Sequence, residues 1–457
     1  MKRIAVFGAV LCSLGVLCQA ATPDNETSAG GNCGGQITYA SDTDDSYRYL
    51  EAEQRNIYEH NPGLADPYSR EELKRPNAVK SFSDLKRRAL QACPDRTKRA
   101  ECALDPDMVD AMEQQLRCIV LPTRFESPLF SALISLDSRQ LDKVRIPRFP
   151  QTMQARFGSL PTGTIDAQAV LPPGGKVPVV ILNRDIFLLT GAFSKSISDA
   201  IPITMGQSVG LSYSDDAIRQ RLKQHPYIVA NFADALSRLV RTGTSAGANE
   251  VTLDEPHNHL HARLVTAMDQ FLMGHEQAHV ILNHVSDRAI AFQLAGSRRV
   301  PAPLRFHASA ASAGAPGPSP TNGASDTTMT VEMRTREQEL EADALGFKLM
   351  MWSEAAGGDP VSELIAAAAP HMVFRLLDAA GAYGLESGGW TFADANHPSA
   401  DDRIKTLAPV FDAIAKDEPV LRQADFRIAF DAAFRVLLSE ADPVIRRNLG
   451  LAAQAPQ

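Results

Sequence analysis

The sequence of 457 residues lacks an uninterrupted apolar run of the roughly 20 residues that a transmembrane helix needs. The apolar stretch at residues 4–17 is shorter, follows Lys2 and Arg3, and ends just before small residues at positions 20 and 21. This layout predicts a secretory signal peptide over residues 1–20, with a membrane anchor as the disfavoured alternative. Two later apolar segments, 177–193 and 364–385, are interrupted by charged side chains. We therefore expect an exported protein without an integral membrane span, periplasmic in a Gram-negative-type cell.

The chain also has fewer basic than acidic residues. The chain has 46 Lys and Arg against 54 Asp and Glu, a formal charge of −8, and loss of Lys2 and Arg3 with the signal peptide makes it −10. A chain of this sign repels the phosphate backbone, so we expect no nucleic-acid partner. With 44% hydrophobic residues, it is long enough for a sizeable core.

Cysteine is sparse, and no two cysteines are spaced as CxxC. Cys12 and Cys18 fall in the predicted signal peptide. The other four are Cys33, Cys93, Cys102 and Cys118. An even number in an exported chain predicts up to two disulfides, with three connectivities open. A four-cysteine zinc site is the alternative, which the missing CxxC pairs disfavour. Residues 21–125 are thus predicted to form a cysteine-bearing N-terminal region.

The clearest strand pattern follows residue 163. Residues 164–170 largely alternate in polarity, Pro-Pro-Gly-Gly at 172–175 is typical of a turn, and residues 177–182 are mostly β-branched and apolar. This order predicts a β-hairpin.

Helical spacing of apolar residues dominates the rest of the chain. It predicts long helices over 261–284 and 335–352. Residues 307–328, between them, are rich in Ala, Ser, Gly and Pro and are predicted to be a flexible insertion. We expect an α+β, mostly helical fold, with a main domain over 126–415 and a C-terminal helical tail over 416–457.

The strongest functional signal is the sequence HEQAH at residues 275–279. Residues four apart share a helix face, so His275 and His279 can both point at one metal ion. Glu276 lies beside that face, within reach of a metal-activated water. Because HExxH also arises by chance, the motif alone does not decide the function.

A catalytic zinc ion needs a third protein ligand and an open position. Glu339 and Asp343 lie four apart on the second predicted helix, so one carboxylate can bind the metal while the other fixes a ligand histidine. The alternative is a solvated acidic face shared with Glu337 and Glu341.

Three ordered motifs carry a family resemblance. HEQAH at 275–279 is followed by ELEAD at 339–343 and by NHPSADDRI at 396–404. They resemble the zinc metallopeptidase family of HtpX, the CAAX prenyl proteases and BepA, which is metallopeptidase family 48 and of the gluzincin type. The resemblance implies a zincin-like core with one Zn²⁺ per chain. The chain departs from the family in its long N-terminal region, and it lacks transmembrane helices and a tetratricopeptide tail.

The resemblance also implies roles for individual residues. The implied metal ligands are His275, His279 and Glu339, the base is Glu276, the aspartate behind the ligands is Asp343, and the residues facing the active site are His397 and Arg403. The last two are implied either to steady an oxyanion or to occlude the metal.

His284 also matches a family position. An ideal helix places it about 140° from His279, so we expect a structural hydrogen bond and not metal ligation. Three more histidines, at 257, 259 and 261, form a second candidate metal cluster. Two-residue spacing makes helical side chains fan apart, which favours a polar helix entry.

Together these features predict an exported zinc endopeptidase that acts on protein or peptide substrates in envelope quality control. Glu276 is the expected general base, and the strand near 164–170 is the candidate that pairs with extended substrate. A zinc-bound chaperone or scaffold that does not cleave is the alternative. The oligomeric state is not predicted by the sequence.

Overall fold

The structure is a computed structural model. It describes residues 38–60, 120–126, 128–152, 154–160, 167–205, 209–211, 214–245, 253–285, 335–357, 359–388, 398–418, 421 and 425–452. The predicted signal peptide, the four remaining cysteines and the predicted insertion at 307–328 lie outside the described residues.

Helices make up most of the described chain. They are α1 (Asp45–His60), α2 (Pro128–Arg148), α3 (Arg184–Ala200), α4 (Asp215–Gln224), α5 (Tyr227–Thr242), α6 (Glu255–Ile281), α7 (Arg336–Gly357), α8 (Pro360–Ala366), α9 (Ala369–Glu386), α10 (Ala400–Asp417) and α11 (Asp425–Leu449). The strands are β1 (Thr38–Tyr39), β2 (Val120–Leu121), β3 (Arg156–Leu160), β4 (Ala167–Val170), β5 (Val179–Asn183), β6 (Ile203–Met205) and β7 (Val209–Leu211). The expectation of an α+β, mostly helical fold is confirmed.

The main sheet has three strands in the order β3-β5-β4. β4 and β5 are antiparallel and form the predicted hairpin, in which Ala169 pairs with Val180. Its turn needs a left-handed residue, which Gly174 supplies with φ of 67°. β3 lies parallel to β5 on the other side. β3 was not predicted, because RFGSL has no clear alternation.

The sheet separates two hydrophobic cores. On one face Leu50 and Ile57 of α1 pack against Val179 and Ile181. On the other face Val180 and neighbouring residues join the main core. Successive side chains of a strand point to opposite faces, so β5 contributes to both cores and is buried throughout.

The main core is built around α6, which packs against α2, α3, α7, α8 and α9. Phe271 and Met268 of α6 lie in it together with Phe374 of α9. Phe430 and Phe434 of α11 belong to the same core. The predicted C-terminal tail therefore shares its packing with the predicted domain over 126–415; the boundary between them stays a prediction.

One segment, Pro360–Glu386, is long and apolar enough to cross a membrane by length and composition alone. Of its most apolar window, 72% is buried within the fold. The segment comprises α8 and α9, which pack against α6, α10 and α11. These contacts are what a core helix of this composition makes.

Candidate metal centre

The metal helix is α6, and both of its ends are fixed by local bonds. At its start the Asp254 side chain accepts from the His257 backbone N–H, and Pro256 occupies the first turn. Counted from this start, His275 and His279 fall in the last two turns. Because they are four residues apart, their rings project from the same face.

His275, His279 and Glu339 converge. The two histidine Nε2 atoms are 3.1 Å apart, and the Glu339 carboxylate oxygens lie 3.3 Å from His275 Nε2 and 3.5 Å from His279 Nε2. Two ligands that each lie about 2.05 Å from a tetrahedral ion are about 3.3 Å apart. The three spacings therefore fit a single small ion. Among the described residues, this is the group that can hold a metal.

The donor set favours zinc. Two neutral imidazoles and one carboxylate form the three-ligand set of catalytic zinc sites, which leave the fourth position open. All three side chains are buried, none more than 7% exposed.

Glu276 lies next to the ligands without joining them. It is 3% exposed, and its Oε1 lies 3.8 Å from His275 Nε2. This places a second carboxylate beside the three converging side chains, where a metalloprotease would need its general base.

The Asp343 carboxylate stands behind His275. Its Oδ1 lies 2.9 Å from His275 Nδ1, on the opposite side of the ring from Nε2. Burial lowers the pKa of His275, but the carboxylates of Asp343 and Glu339 outweigh it and raise that pKa to about 9 without metal. An anion at Nδ1 holds the ring with Nε2 towards His279 and Glu339, where a metal ion would bind.

Arg403 completes this arrangement from α10. Its Nε donates to Asp343 Oδ2 at 2.7 Å, and its Nη2 pairs with Oδ1. The guanidinium carbon also lies 4.3 Å from the centre of the Phe374 ring. Burial raises the pKa of Asp343, but Arg403 and His275 lower it further than burial raises it, so Asp343 stays ionised. Arg403 thus binds both oxygens of Asp343, through its Nε and Nη2.

His284 lies near His279 because the helix ends before it, and not because it continues the helix as expected. α6 ends at Ile281, and Asn283 adopts φ of 59°. The backbone N–H groups of Asn283 and His284 then donate to Val280 and His279, the bonds of a Schellman motif. This reversal brings His284 Nδ1 within 3.1 Å of His279 Nδ1.

The expected structural hydrogen bond is therefore present, but its derivation from an ideal helix was wrong. If His279 binds metal through Nε2, its Nδ1 carries the proton and donates to His284. His284 Nε2 in turn lies 3.3 Å from Glu341 Oε2.

α7 starts with a capping box that sets the position of Glu339. The Gln338 backbone N–H donates to Thr335 Oγ1 at 3.2 Å, and the Thr335 N–H donates to Gln338 Oε1 at 2.9 Å. Glu339 follows directly, in the first turn. The sequence signal, Thr335 three residues before Gln338, was not used in the prediction.

The structure thus brings six of the seven predicted site residues together. They are His275, Glu276, His279, Glu339, Asp343 and Arg403. His397 lies outside the described residues, although Pro398 and the start of α10 follow it directly. The roles of all seven stay predictions.

The second histidine cluster does not converge on a point. His257 Nε2 contacts the Ile201 carbonyl at 3.0 Å, and His261 Nδ1 contacts Ser194 Oγ at 2.9 Å. His259 is exposed. The side chains fan apart as expected, but the burial of two of them was not predicted. Each of those two has a partner of its own, which argues against a shared metal.

Comparison with known proteins agrees with this geometry. The family description "Peptidase family M48" matches residues 261–410, about a third of the chain. These limits enclose both histidines, both carboxylates of α7, and Arg403. Residues 261–410 belong to peptidase family M48. This family match identifies the protein as a metalloprotease, which is a hydrolase whose substrates are proteins. Searches of curated proteins and of solved structures found no match for the chain.

Proposed function

We propose that this M48 protein is an exported zinc endopeptidase in which His275, His279 and Glu339 hold one Zn²⁺ and Glu276 is the general base. The observation that carries the proposal is the convergence of these three side chains within 4.8 Å, with Glu276 beside them. Export rests on the predicted signal peptide, and a role in envelope quality control rests on that compartment and on the family resemblance.

The chain's own residues account for the proton transfers of peptide hydrolysis. A bound zinc ion supplies a Lewis acid for the peptide carbonyl and for the attacking water. Glu276 takes the proton of that water and passes it to the leaving amine. Asp343 keeps His275 oriented, and Arg403 keeps Asp343 ionised. His397 and the remaining Arg403 nitrogen are proposed donors to the developing oxyanion.

The sheet offers a place for extended substrate at β4. Among the described strands, β4 is at one edge of the three-stranded sheet, and it packs against the metal helix. The other edge, β3, is capped by side chains: Gln54 donates to the Ser159 carbonyl at 2.7 Å, and Glu126 accepts from the Ser159 N–H at 2.6 Å. A substrate strand paired with β4 would lie beside the metal helix, which suits cleavage within a chain.

One observation favours a second candidate, a zinc-bound chaperone or scaffold that does not cleave. His275 and Glu276 are both less than a tenth exposed. A substrate carbonyl cannot reach a metal behind side chains this deeply buried unless the site opens. The two candidates differ in whether this opening occurs.

Metal content and cleavage, measured together on purified full-length protein, test the proposal. We expect one zinc per chain and cleavage of unfolded casein that a chelator abolishes. Glu276→Gln should keep the zinc and lose about 100-fold or more of the activity, since it removes the general base. Glu337→Gln, an exposed carboxylate on α7, is the matched control.

Intact casein with wild-type and Glu276→Gln protein alike, both loaded with zinc, would favour the chaperone. Absence of metal from the wild type, under conditions where the protein is folded, would contradict both candidates. Export is tested separately, by sequencing the amino terminus of the mature protein, which we expect to begin at or next to residue 21.

A further inference from the structure

The metal helix and α7 meet backbone to backbone at two glycines. A Cβ placed on Gly346 would lie 2.6 Å from the backbone nitrogen of His275, 2.7 Å from its Cα and 2.9 Å from the carbonyl carbon of Gly274. Real Cβ atoms do not approach backbone atoms this closely. A Cβ on Gly274 would lie 3.0 Å from the Gly346 carbonyl oxygen, which is tight but less severe.

This contact lies within the metal site on both helices. On α6 it includes the backbone of His275, which is itself a proposed ligand. On α7, Gly346 is three residues after Asp343 and seven after Glu339, spacings that put all three on one helix face. Glu339, Asp343 and Gly346 therefore lie on the same face of α7, the face that contacts α6.

A metal site tolerates only small displacements of its ligands, so the contact at Gly346 affects metal binding. Glu339 is about 10 Å along α7 from Gly346, at 1.5 Å per residue. A methyl group at Gly346 must move the helices apart by at least several tenths of an ångström to restore ordinary contact. That shift passes to Glu339 and Asp343 because they lie on the same rigid helix. Metal–ligand distances are held to about 0.2 Å, so a displaced Glu339 carboxylate would bind the metal less tightly.

We propose that Gly346 is a positioning residue of the metal centre: its missing side chain sets the distance between the histidines of α6 and the carboxylates of α7. The inference rests on the proposed zinc site. It assigns to Gly346 no contact with the substrate or with the metal. Gly274 has the same role to a smaller degree.

Metal affinity across three glycine variants tests the proposal. Zinc affinity is measured by competition with a chromophoric chelator, and ligand geometry by the visible spectrum of the cobalt-substituted protein. We expect Gly346→Ala to lower zinc affinity about 10- to 100-fold, the range for lost support of metal ligands. Gly274→Ala should lower it several-fold. Gly191→Ala, where an added Cβ meets nothing within 4 Å in α3, should leave it unchanged.

A purely structural role predicts a different pattern. In that case Gly346→Ala would lower the melting temperature equally with and without zinc, and the cobalt spectrum would not change. We expect instead that the zinc-induced rise in melting temperature shrinks and that the cobalt bands shift. If Gly346→Ala does not fold, Gly274→Ala decides, because its methyl group needs only a small adjustment.

Wild-type affinity and an unchanged cobalt spectrum in a folded Gly346→Ala or, failing that, Gly274→Ala protein would overturn the inference. Wild-type protein that binds no zinc would instead refute the proposed function. The two failures are therefore distinguishable.

Discussion

The two ends of α6 each carry or adjoin three histidines, but only the C-terminal end forms a site. His275, His279 and His284 there are linked to one another and to carboxylates of α7. His257 and His261 at the other end bond to Ile201 and Ser194, and His259 faces solvent. The number of histidines is the same. Spacing along the helix and the charge of the neighbouring helix make the difference.

The facing helix matters as much as the spacing. At the C-terminal end α7 presents Glu339 and Asp343, which raise the pKa of His275 to about 9 despite its burial. At the N-terminal end His261 is fully buried, and burial together with Lys195 lowers its pKa to about 3. One histidine is thus held among anions, and the other is held neutral. Four predictions test this contrast, from the largest expected effect to the smallest.

Removal of the third ligand should have the largest effect. We expect Glu339→Gln to lower both zinc affinity and casein cleavage by about 100-fold or more, because a neutral amide is a much weaker ligand for Zn²⁺ than a carboxylate. Zinc competition and the rate of cleavage measure it. The control is Glu337→Gln, two residues away and exposed. Near wild-type zinc affinity in Glu339→Gln would mean that another residue completes the coordination.

Asp343→Asn should have the next largest effect. It removes the charge that orients His275 and leaves Arg403 buried without its counter-charge. We expect zinc affinity to fall about 10- to 100-fold, the usual loss when support of a ligand histidine is removed. Asp401→Asn, exposed on α10, is the control. Equal zinc affinity in both variants would show that His275 needs no anion behind it.

His261→Gln tests whether the two ends of α6 act independently. We expect zinc affinity and cleavage within about twofold of wild type, since His261 is more than three helical turns from His275. The free energy of unfolding should fall by about 1–3 kcal/mol, because a buried hydrogen bond to Ser194 is disturbed. Denaturant melts measure that loss. A large drop in bound zinc would mean that the two clusters are coupled.

Near neutral pH, the pH dependence of stability is the smallest of the four effects, and it grows as the pH falls. His261 has a folded-state pKa of about 3, below its unfolded value. The stability present at neutral pH should be lost as pH falls from about 6.5 towards 3, because only the unfolded state then gains the proton. The slope from this residue approaches about 1.4 kcal/mol per pH unit. His261→Gln should have a shallower dependence than wild type; identical slopes would contradict the assignment.

Much of the site could be predicted from the sequence. Helical periodicity and four-residue spacing place His275 and His279 on one face, and the same spacing relates Glu339 to Asp343. These are local properties, set by the 3.6-residue turn, and they hold wherever the helix packs. The β-hairpin was predictable for a similar reason, since Pro-Pro-Gly-Gly determines the turn between two apolar strands.

Other features were not predicted. The position of His284 depends on where α6 ends, and the left-handed Asn283 sets that end. β3 forms because β5 offers it a partner, although its own five residues have no strand pattern. The pairing of Arg403 with Asp343 joins residues 60 apart in the chain. The β3–β5 pairing and the Arg403–Asp343 pair do not follow from one segment considered alone.

The sequence by itself determined which side chains share a helix face, and with that the chemistry of the donor set. Only the tertiary structure decided that α6 and α7 cross at Gly274 and Gly346, close enough for a carboxylate to face two imidazoles. The physical reason is range: backbone geometry acts over a turn or two, whereas the separation of two helices depends on every side chain packed between them.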